Sequence, residues 1–161
     1  MQSEQILSSP TREQLRIWRT FFETAFSLIQ IFDAELQEQA GVPLRWYDVL
    51  VHLEEAPERR MRMNELAEAI VSSKSGLTRV IDRMEEEGLV RRERPDGDRR
   101  VIEVVLTPEG DEKLQAARRL HRHGIQQYFA KHLDAKDFAA LERALPKVRD
   151  VVRPLRAEQT G

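Results

Sequence analysis

The stretch from Met61 to Gly110 constrains this chain more than any other, because it calls for two short helices, a glycine stop and a turn between two arginine-bearing strands. Asn64-Glu65-Leu66-Ala67-Glu68-Ala69-Ile70 reads as a short amphipathic helix. A connector, Val71-Ser72-Ser73, leads into a second helix over Lys74 to Glu87, with Ser73 as its natural N-cap. Leu77, Val80, Ile81 and Met84 fall at i, i+3, i+4 and i+7, which predicts one buried stripe. Ser75, Thr78, Arg79, Asp82 and Arg83 occupy the opposite face. A helix that is apolar inside and hydrogen-bonding outside suits the major groove of a duplex. Gly88 supplies a left-handed C-terminal cap, and Leu89 the apolar contact that accompanies it.

After that stop, Val90 to Arg94 and Arg100 to Leu106 have strand composition. Pro95-Asp96-Gly97-Asp98 between them presets a turn through proline's fixed φ and glycine's tolerance of positive φ. The second strand is expected to alternate, with Ile102, Val104 and Leu106 on one side and Val101, Glu103 and Val105 on the other. Arg99 and Arg100 fall at the tip of a slender projection, where an arginine can enter a narrow minor groove. Helix, turn, helix and β-hairpin in this order make a winged helix-turn-helix, which points to double-stranded DNA. The expected DNA-binding residues are Ser73, Lys74, Ser75, Thr78, Arg79 and Arg83 from the second helix, with Arg91, Arg99 and Arg100 from the wing.

Three segments together resemble the MarR-type (multiple antibiotic resistance) family of transcriptional regulators. They are Arg62-Met63-Asn64-Glu65-Leu66-Ala67, the run from Ser75 to Met84, and Asp98-Arg99-Arg100 leading to Val105-Leu106-Thr107-Pro108-Glu109-Gly110. The resemblance implies an obligate homodimer on pseudo-palindromic operators, usually a repressor, often released by a small aromatic or anionic ligand. It also implies an effector crevice between the N-terminal dimerisation helix and the DNA-binding lobe. Carried onto this chain, Trp18 and Phe22 would line that crevice from one side and Tyr47, Asp48 and His52 from the other. Arg91 or Arg92 would supply positive charge to an anionic ligand.

The chain ends supply apolar stripes without a local partner. Leu15, Phe22, Ile29 and Leu36 recur every seventh residue, interleaved with Trp18, Ala25 and Phe32. Phe138, Leu145 and Val152 repeat the spacing, interleaved with Leu141, Val148 and Leu155. Phe21, Phe26, Leu28 and Ile31 widen the N-terminal stripe beyond what a small lobe would cover, so the stripes are expected to pair between chains. The expected fold is one domain over 1–161, mainly α with a small β-hairpin wing: a lobe at 43–106, and dimerisation helices at 11–39 and 108–155. Pro43 should open a helix over Leu44 to Glu55, which Ala56-Pro57-Glu58 closes. Thr107-Pro108 should start a helix running to about His132. Pro146 should kink or break the last helix, and Pro154 should end it.

Composition narrows the remaining classes. The absence of cysteine removes disulfides, thiolate zinc sites and thiol redox sensing. Met1-Gln2-Ser3-Glu4-Gln5 lacks the basic start and apolar core of a signal peptide, and no apolar run is long enough to span a bilayer, so a cytoplasmic location is expected. His121 and His123 stand two apart and would face different ways on a helix, so surface or capping roles are expected for the histidines and no metal site. Without a glycine-rich phosphate loop or an activated Ser/His/Asp set, neither catalysis nor a cofactor is implied. A net charge of −2 is unusual for a DNA binder, but Arg91, Arg92, Arg94, Arg99 and Arg100 cluster on the wing. The alternative is a winged-helix protein-interaction module without operator specificity. Such a module would expose apolar residues where this helix exposes Ser75, Thr78, Arg79 and Arg83.

Overall fold

Capping decides where each long helix begins and ends. The computed structural model describes residues 9–70, 74–95 and 101–159. Helix α1, Arg12–Ala40, starts at a reciprocal cap in which Thr11 Oγ1 accepts from Gln14 N at 3.2 Å and Gln14 Oε1 accepts from Thr11 N at 2.8 Å. Helix α2 spans Leu44–Glu55 as expected from Pro43, and Asp33 Oδ1 of α1 accepts from Leu44 N at 2.8 Å. One free amide of the new helix is thereby satisfied by the old one. A 3-10 turn at Pro57–Arg59 follows, then strand β1, Arg60–Arg62, and helix α3, Met63–Ala69. Helix α4, Lys74–Glu86, leads to β2, Val90–Glu93, and β3, Glu103–Leu106. Helix α5, Pro108–Tyr128, a 3-10 turn at Ala130–His132 and helix α6, Ala135–Gln159, complete the chain.

The expected stripe of α4 forms the centre of the lobe: Leu77, Val80, Ile81 and Met84 are all buried, against Leu50, Leu53, Leu66, Val104 and Leu114. Gly88 takes φ 72°, Gly88 N donates to Glu85 O at 3.0 Å, and Leu89 N donates to Met84 O at 2.8 Å. These two bonds close the helix as a Schellman motif, and Leu89 is buried beneath it. Thr107 then fastens the next helix to this end. Its hydroxyl donates to Gly88 O at 2.7 Å and accepts from Gly110 N at 3.0 Å. Gly110 is required by contact, since a Cβ there would lie 2.0 Å from Leu89 O.

Several sequence expectations need correction. The sheet has three antiparallel strands in the order β1-β3-β2, not a bare hairpin. Arg60-Met61-Arg62 carries no strand signal of its own and becomes a strand by pairing with Val105, Val104 and Glu103. Because β3 is therefore central, Val105 is buried as well as Val104 and Leu106, with Arg60 and Arg91 beside it in register. The arginines' aliphatic stems flank the valine while both guanidinium groups pair with Glu93. The strands are also shorter than expected, and of the expected turn Pro95-Asp96-Gly97-Asp98 all but Pro95 lies outside the described residues. Helix α5 stops at Tyr128, short of His132, because the chain must reverse at Phe129 (φ −129°, ψ −65°) into α6. Asp134 Oδ1 caps that helix by accepting from Lys136 N and Asp137 N at 2.7 and 2.9 Å.

Helix α6 runs through both Pro146 and Pro154 instead of breaking or ending there. Each proline frees the carbonyl four residues earlier, at Glu142 and Asp150, and both residues are exposed, so water takes the vacant acceptor. Among the described residues much of the terminal stripes is exposed: Trp18 is 58% exposed, Phe22 55%, Leu145 45% and Leu155 53%, whereas Leu36, where α1 meets the lobe, is buried. Among the described residues no helix is long and apolar enough to cross a membrane.

The clasp at Thr107 sets a stability test. Gly110→Ala should lower the thermal midpoint by several degrees, reflecting about 1–3 kcal/mol of overpacking against a backbone carbonyl. Thr107→Ala should lose about 1 kcal/mol, and a melt matching wild type for both variants would refute the clasp.

Candidate nucleic-acid interface

Helix α4 presents Thr78, Arg79, Asp82 and Arg83 to solvent, the face expected from the sequence. Among the described residues Arg79 and Arg83 form no ion pair. Lys74 and Ser75 fall in the first turn of α4. Ser73, Arg99 and Arg100, also expected to bind DNA, lie outside the described residues. Beside α4, a notch of about 440 Å³ opens between α3 and the base of the wing, lined by Arg62, Met63, Asn64, Thr78, Val101 and Ile102. Arg62 is exposed at its rim and was missed from the sequence, where it reads as a flank of α3.

The wing arginines divide into paired and unpaired. Arg91 Nε donates to Glu93 Oε1 at 2.6 Å, and Arg60 Nη1 donates to the other oxygen of Glu93 at 3.0 Å. Arg91, with Arg60 adding to it, holds the Glu93 carboxyl below the usual carboxylate range. Arg91 therefore starts from an ion pair, which counts against the expected role as a free cation for phosphate. Arg92 turns the other way, off the sheet and onto α4. Its Nη1 donates to Glu85 Oε2 at 2.6 Å and its Nη2 to Asp82 Oδ1 at 2.7 Å. Arg94 is exposed, without an ion pair among the described residues.

A second cavity, about 640 Å³, lies between α1, α2 and α5, with Phe32, Asp33, Arg45, Tyr47, Asp48 and His121 in its lining. Tyr47 and Asp48 take the places expected of them. Trp18 and Phe22 do not line it: Trp18 precedes Phe32 by about four helical turns, roughly 21 Å along the axis. They pack instead on their own helix, with ring centroids of Trp18–Phe22 at 6.0 Å and Phe22–Phe26 at 6.3 Å. His52 is also absent from the lining, its Nδ1 lying 2.8 Å from the Asp48 carbonyl oxygen within α2. Neither Arg91 nor Arg92 supplies the crevice's positive charge, since both are committed elsewhere; Arg45 is its guanidinium.

His121 is neither a surface nor a capping residue. Its ring centroid lies 4.8 Å from both Phe32 and Tyr47, and its Nδ1 is buried without a hydrogen-bond partner. Burial lowers its pKa and favours the neutral ring, while burial pushes the Tyr47 hydroxyl up. The sequence did hold a signal for this placement. Leu114, Ala117, His121, Gly124 and Tyr128 form one stripe of α5, and its first two members and Gly124 are buried. Tyr128 continues the stripe by donating its hydroxyl to the Glu35 carboxylate of α1. On the adjacent side of α5, Arg118 grips Glu54 of α2 through Nη1–Oε1 at 2.9 Å and Nη2–Oε2 at 2.5 Å. That fork holds the Glu54 carboxyl below its usual range.

A model described as the MarR family matches residues 40–101, which run from the end of α1 through β2. The HTH-type transcriptional repressor MdtR of Bacillus subtilis is 33% identical over 58% of this chain, and the match spans 59% of that relative's length. Two solved structures from Streptomyces coelicolor match more fully. Sco3205, a MarR family transcriptional regulator in complex with DNA, is 34% identical with a TM-score of 0.83, covering 88% of this chain and 89% of that one. AbsC, another MarR family transcriptional regulator, is 34% identical with a TM-score of 0.84, covering 91% and 98%.

The half-buried ring of His121 predicts a pH signature. With the folded pKa lowered, the unfolded chain takes up the proton first, so stability is full above the unfolded value of about 6.5 and falls as pH drops below it. Chemical denaturation from pH 7.5 to 5 should show this loss in wild type and less of it in His121→Phe. Identical pH slopes in the two proteins would contradict the half-buried, neutral ring.

Proposed function

The chain belongs to the MarR family of transcriptional regulators, and from that premise we propose that it is a homodimeric repressor of operator-specific double-stranded DNA. The observation that carries this reading is where the unpaired arginines fall. Arg60, Arg91 and Arg92 are tied to carboxylates, whereas Arg62, Arg79, Arg83 and Arg94 have no ion pair among the described residues; Arg79 and Arg83 stand on the exposed face of α4, Arg62 shares a notch with Thr78, and Arg94 follows β2. Cations left without internal partners on a helix that also exposes Thr78 are the equipment of phosphate attraction and base-edge reading. The DNA bound to Sco3205 and the repressor name of MdtR support the same reading.

Dimerisation follows from the bare stripes of α1 and α6. Large apolar side chains at Leu15, Trp18, Phe22, Phe138, Leu145 and Leu155 stay exposed among the described residues, and a second copy would bury them against their equivalents. Two lobes would then reach half-sites about one helical turn of DNA apart, roughly 34 Å. The crevice walled by Phe32, Tyr47 and His121 fits a small aromatic effector, acting through its preference for one lobe spacing over another. Titration of small aromatic compounds against wild type and Tyr47→Ala, with and without operator, tests that part. Binding indifferent to DNA would remove the effector role.

Selection of bound sites from random duplexes should return a pseudo-palindrome. On that site Arg79→Ala should cost about 1–3 kcal/mol and relax preference at particular positions. Failure to enrich any sequence would favour a protein-docking winged helix instead. Sedimentation at micromolar concentration should return a dimer, and chains lacking the residues before Gln39 or after Ala135 should aggregate or bind DNA poorly. A well-behaved full-length monomer would overturn the dimer.

A further inference from the structure

Among the described residues Arg92 ties the wing to α4, its guanidinium engaged by the helix. It sits on β2 opposite Val104, and its side chain crosses to α4. The backbone N–H of Arg92 donates to Glu85 Oε1 at 2.7 Å, while Nη1 donates to Glu85 Oε2 at 2.6 Å. Nη2 donates to Asp82 Oδ1 at 2.7 Å and lies 3.4 Å from the Thr78 carbonyl oxygen. Thr78, Asp82 and Glu85 stand at i, i+4 and i+7, so one guanidinium spans two turns of α4 along a single stripe. That stripe runs next to the one that carries Arg79 and Arg83.

We propose that Arg92 is a positioning residue that sets operator specificity, by clamping the wing to the reading helix and cancelling the two carboxylates the helix would otherwise turn toward phosphate. The inference rests on the DNA-binding reading above. Its first half is geometric. A planar fork engaged at two carboxylates and a carbonyl fixes orientation as well as distance, which a flexible ammonium cannot do. The spacing between a helix in one groove and a wing in the next is thereby set before DNA arrives, and a preset spacing favours the sequences whose shape matches it. Its second half is electrostatic. Asp82 and Glu85 lie within one or two turns of Arg79 and Arg83, and uncompensated they would offset the positive charge those arginines bring to the phosphates. Arg92 answers both at once, and for the same reason is not itself available to phosphate.

The role separates from a phosphate contact in a salt titration. Operator and random-duplex affinities are measured across salt concentrations for wild type, Arg92→Ala, Arg92→Lys and the double variant Asp82→Asn/Glu85→Gln. Arg92→Ala is expected to lower operator affinity at least tenfold and the operator-to-random ratio at least fivefold, with the salt slope unchanged. Arg92→Lys should lose the ratio likewise, because a single ammonium does not span both carboxylates. The double variant releases the guanidinium. It should bind random duplex more tightly, steepen the salt slope by about 0.9 for the added phosphate contact, and lose part of the ratio. A slope flattened by about 0.9 in Arg92→Ala with the ratio intact would make Arg92 an ordinary phosphate ligand and overturn the proposal. So would a wild-type ratio in both Arg92→Ala and the double variant. If Arg92→Ala fails to fold by circular dichroism, the double variant decides alone, and an unchanged ratio there overturns it. A wild-type protein that selects no site at all would bring down the DNA-binding reading and this inference together. A wild-type protein that selects a site while every variant keeps its ratio brings down only this inference.

Discussion

One threonine hydroxyl joins the three elements that any use of this lobe requires. Thr107 donates to the carbonyl of Gly88, accepts from the amide of Gly110, and sends its own amide to Leu89 O at 3.2 Å. The end of α4, the exit of β3 and the start of α5 therefore meet within one hydrogen-bond radius. Each partner satisfies a backbone group that a helix terminus would otherwise leave vacant. The arrangement also admits no Cβ at Gly110, because α5 begins directly against the carbonyl of Leu89. The Leu-Thr-x-x-Gly pattern is thus a contact requirement. It makes the angle between α4 and α5 a fixed quantity, and α5 in turn faces α1 and α2.

Charge follows a similar logic of commitment. The chain as a whole carries −2, which alone would argue against a polyanionic partner. The sum conceals which cations are spoken for. Arg59 pairs with Asp111 at 2.8 Å, Arg60 with Glu93, Arg91 with Glu93, Arg92 with Asp82 and Glu85, and Arg118 with Glu54. Exposed pairs of this kind contribute little to stability individually, so their effect lies in what they leave over. After these pairings the arginines of the lobe without an ion pair among the described residues include Arg62, Arg79, Arg83 and Arg94, on α4, at the start of α3 and on the wing. A local positive field on an acidic body arises by internal cancellation elsewhere, and composition cannot reveal it.

What was legible in the sequence was local. The apolar stripe of α4, the Gly88 stop, the Pro43 start of α2 and the Thr107 cap each depend on side chains a few residues apart, and each stands where the pattern put it. What was missed depends on distance in space. Strand β1 exists because β3 is there to pair with it, and nothing in Arg60-Met61-Arg62 announces a strand. The resemblance puts Trp18 and Phe22 at the crevice, but it carries no depth along the helix; among the described residues the cavity meets α1 from Ile29 to Asp33, and Leu36 is buried against the lobe. His121 could have been found, since it shares a stripe with Leu114 and Ala117, but a histidine is easily read as surface until its stripe is drawn. The prolines of α6 were weighed as breakers, although on an exposed helix water replaces the bond each one removes.

These commitments bear on how an effector in the crevice could be felt at the DNA face. Phe32 of α1, Tyr47 of α2 and His121 of α5 wall the cavity, so a ligand there touches all three helices at the joint. Within the lobe, α2 and α5 are fastened together by the Arg118–Glu54 fork, and α5 and α4 by the Thr107 clasp. A rigid lobe has few ways to yield internally. Beside the crevice, α1 is held to α2 by Asp33 capping Leu44 and to α5 by Tyr128 donating to Glu35. A ligand that parts or tightens those contacts would swing α4 and the wing as one body relative to α1 and α6. In the proposed dimer such a swing alters the distance between the two reading helices while leaving each one's geometry intact. The size of the effect is bounded by the ligand's difference in affinity for the two spacings, typically about 1–3 kcal/mol, and operator DNA must weaken the ligand by the same factor.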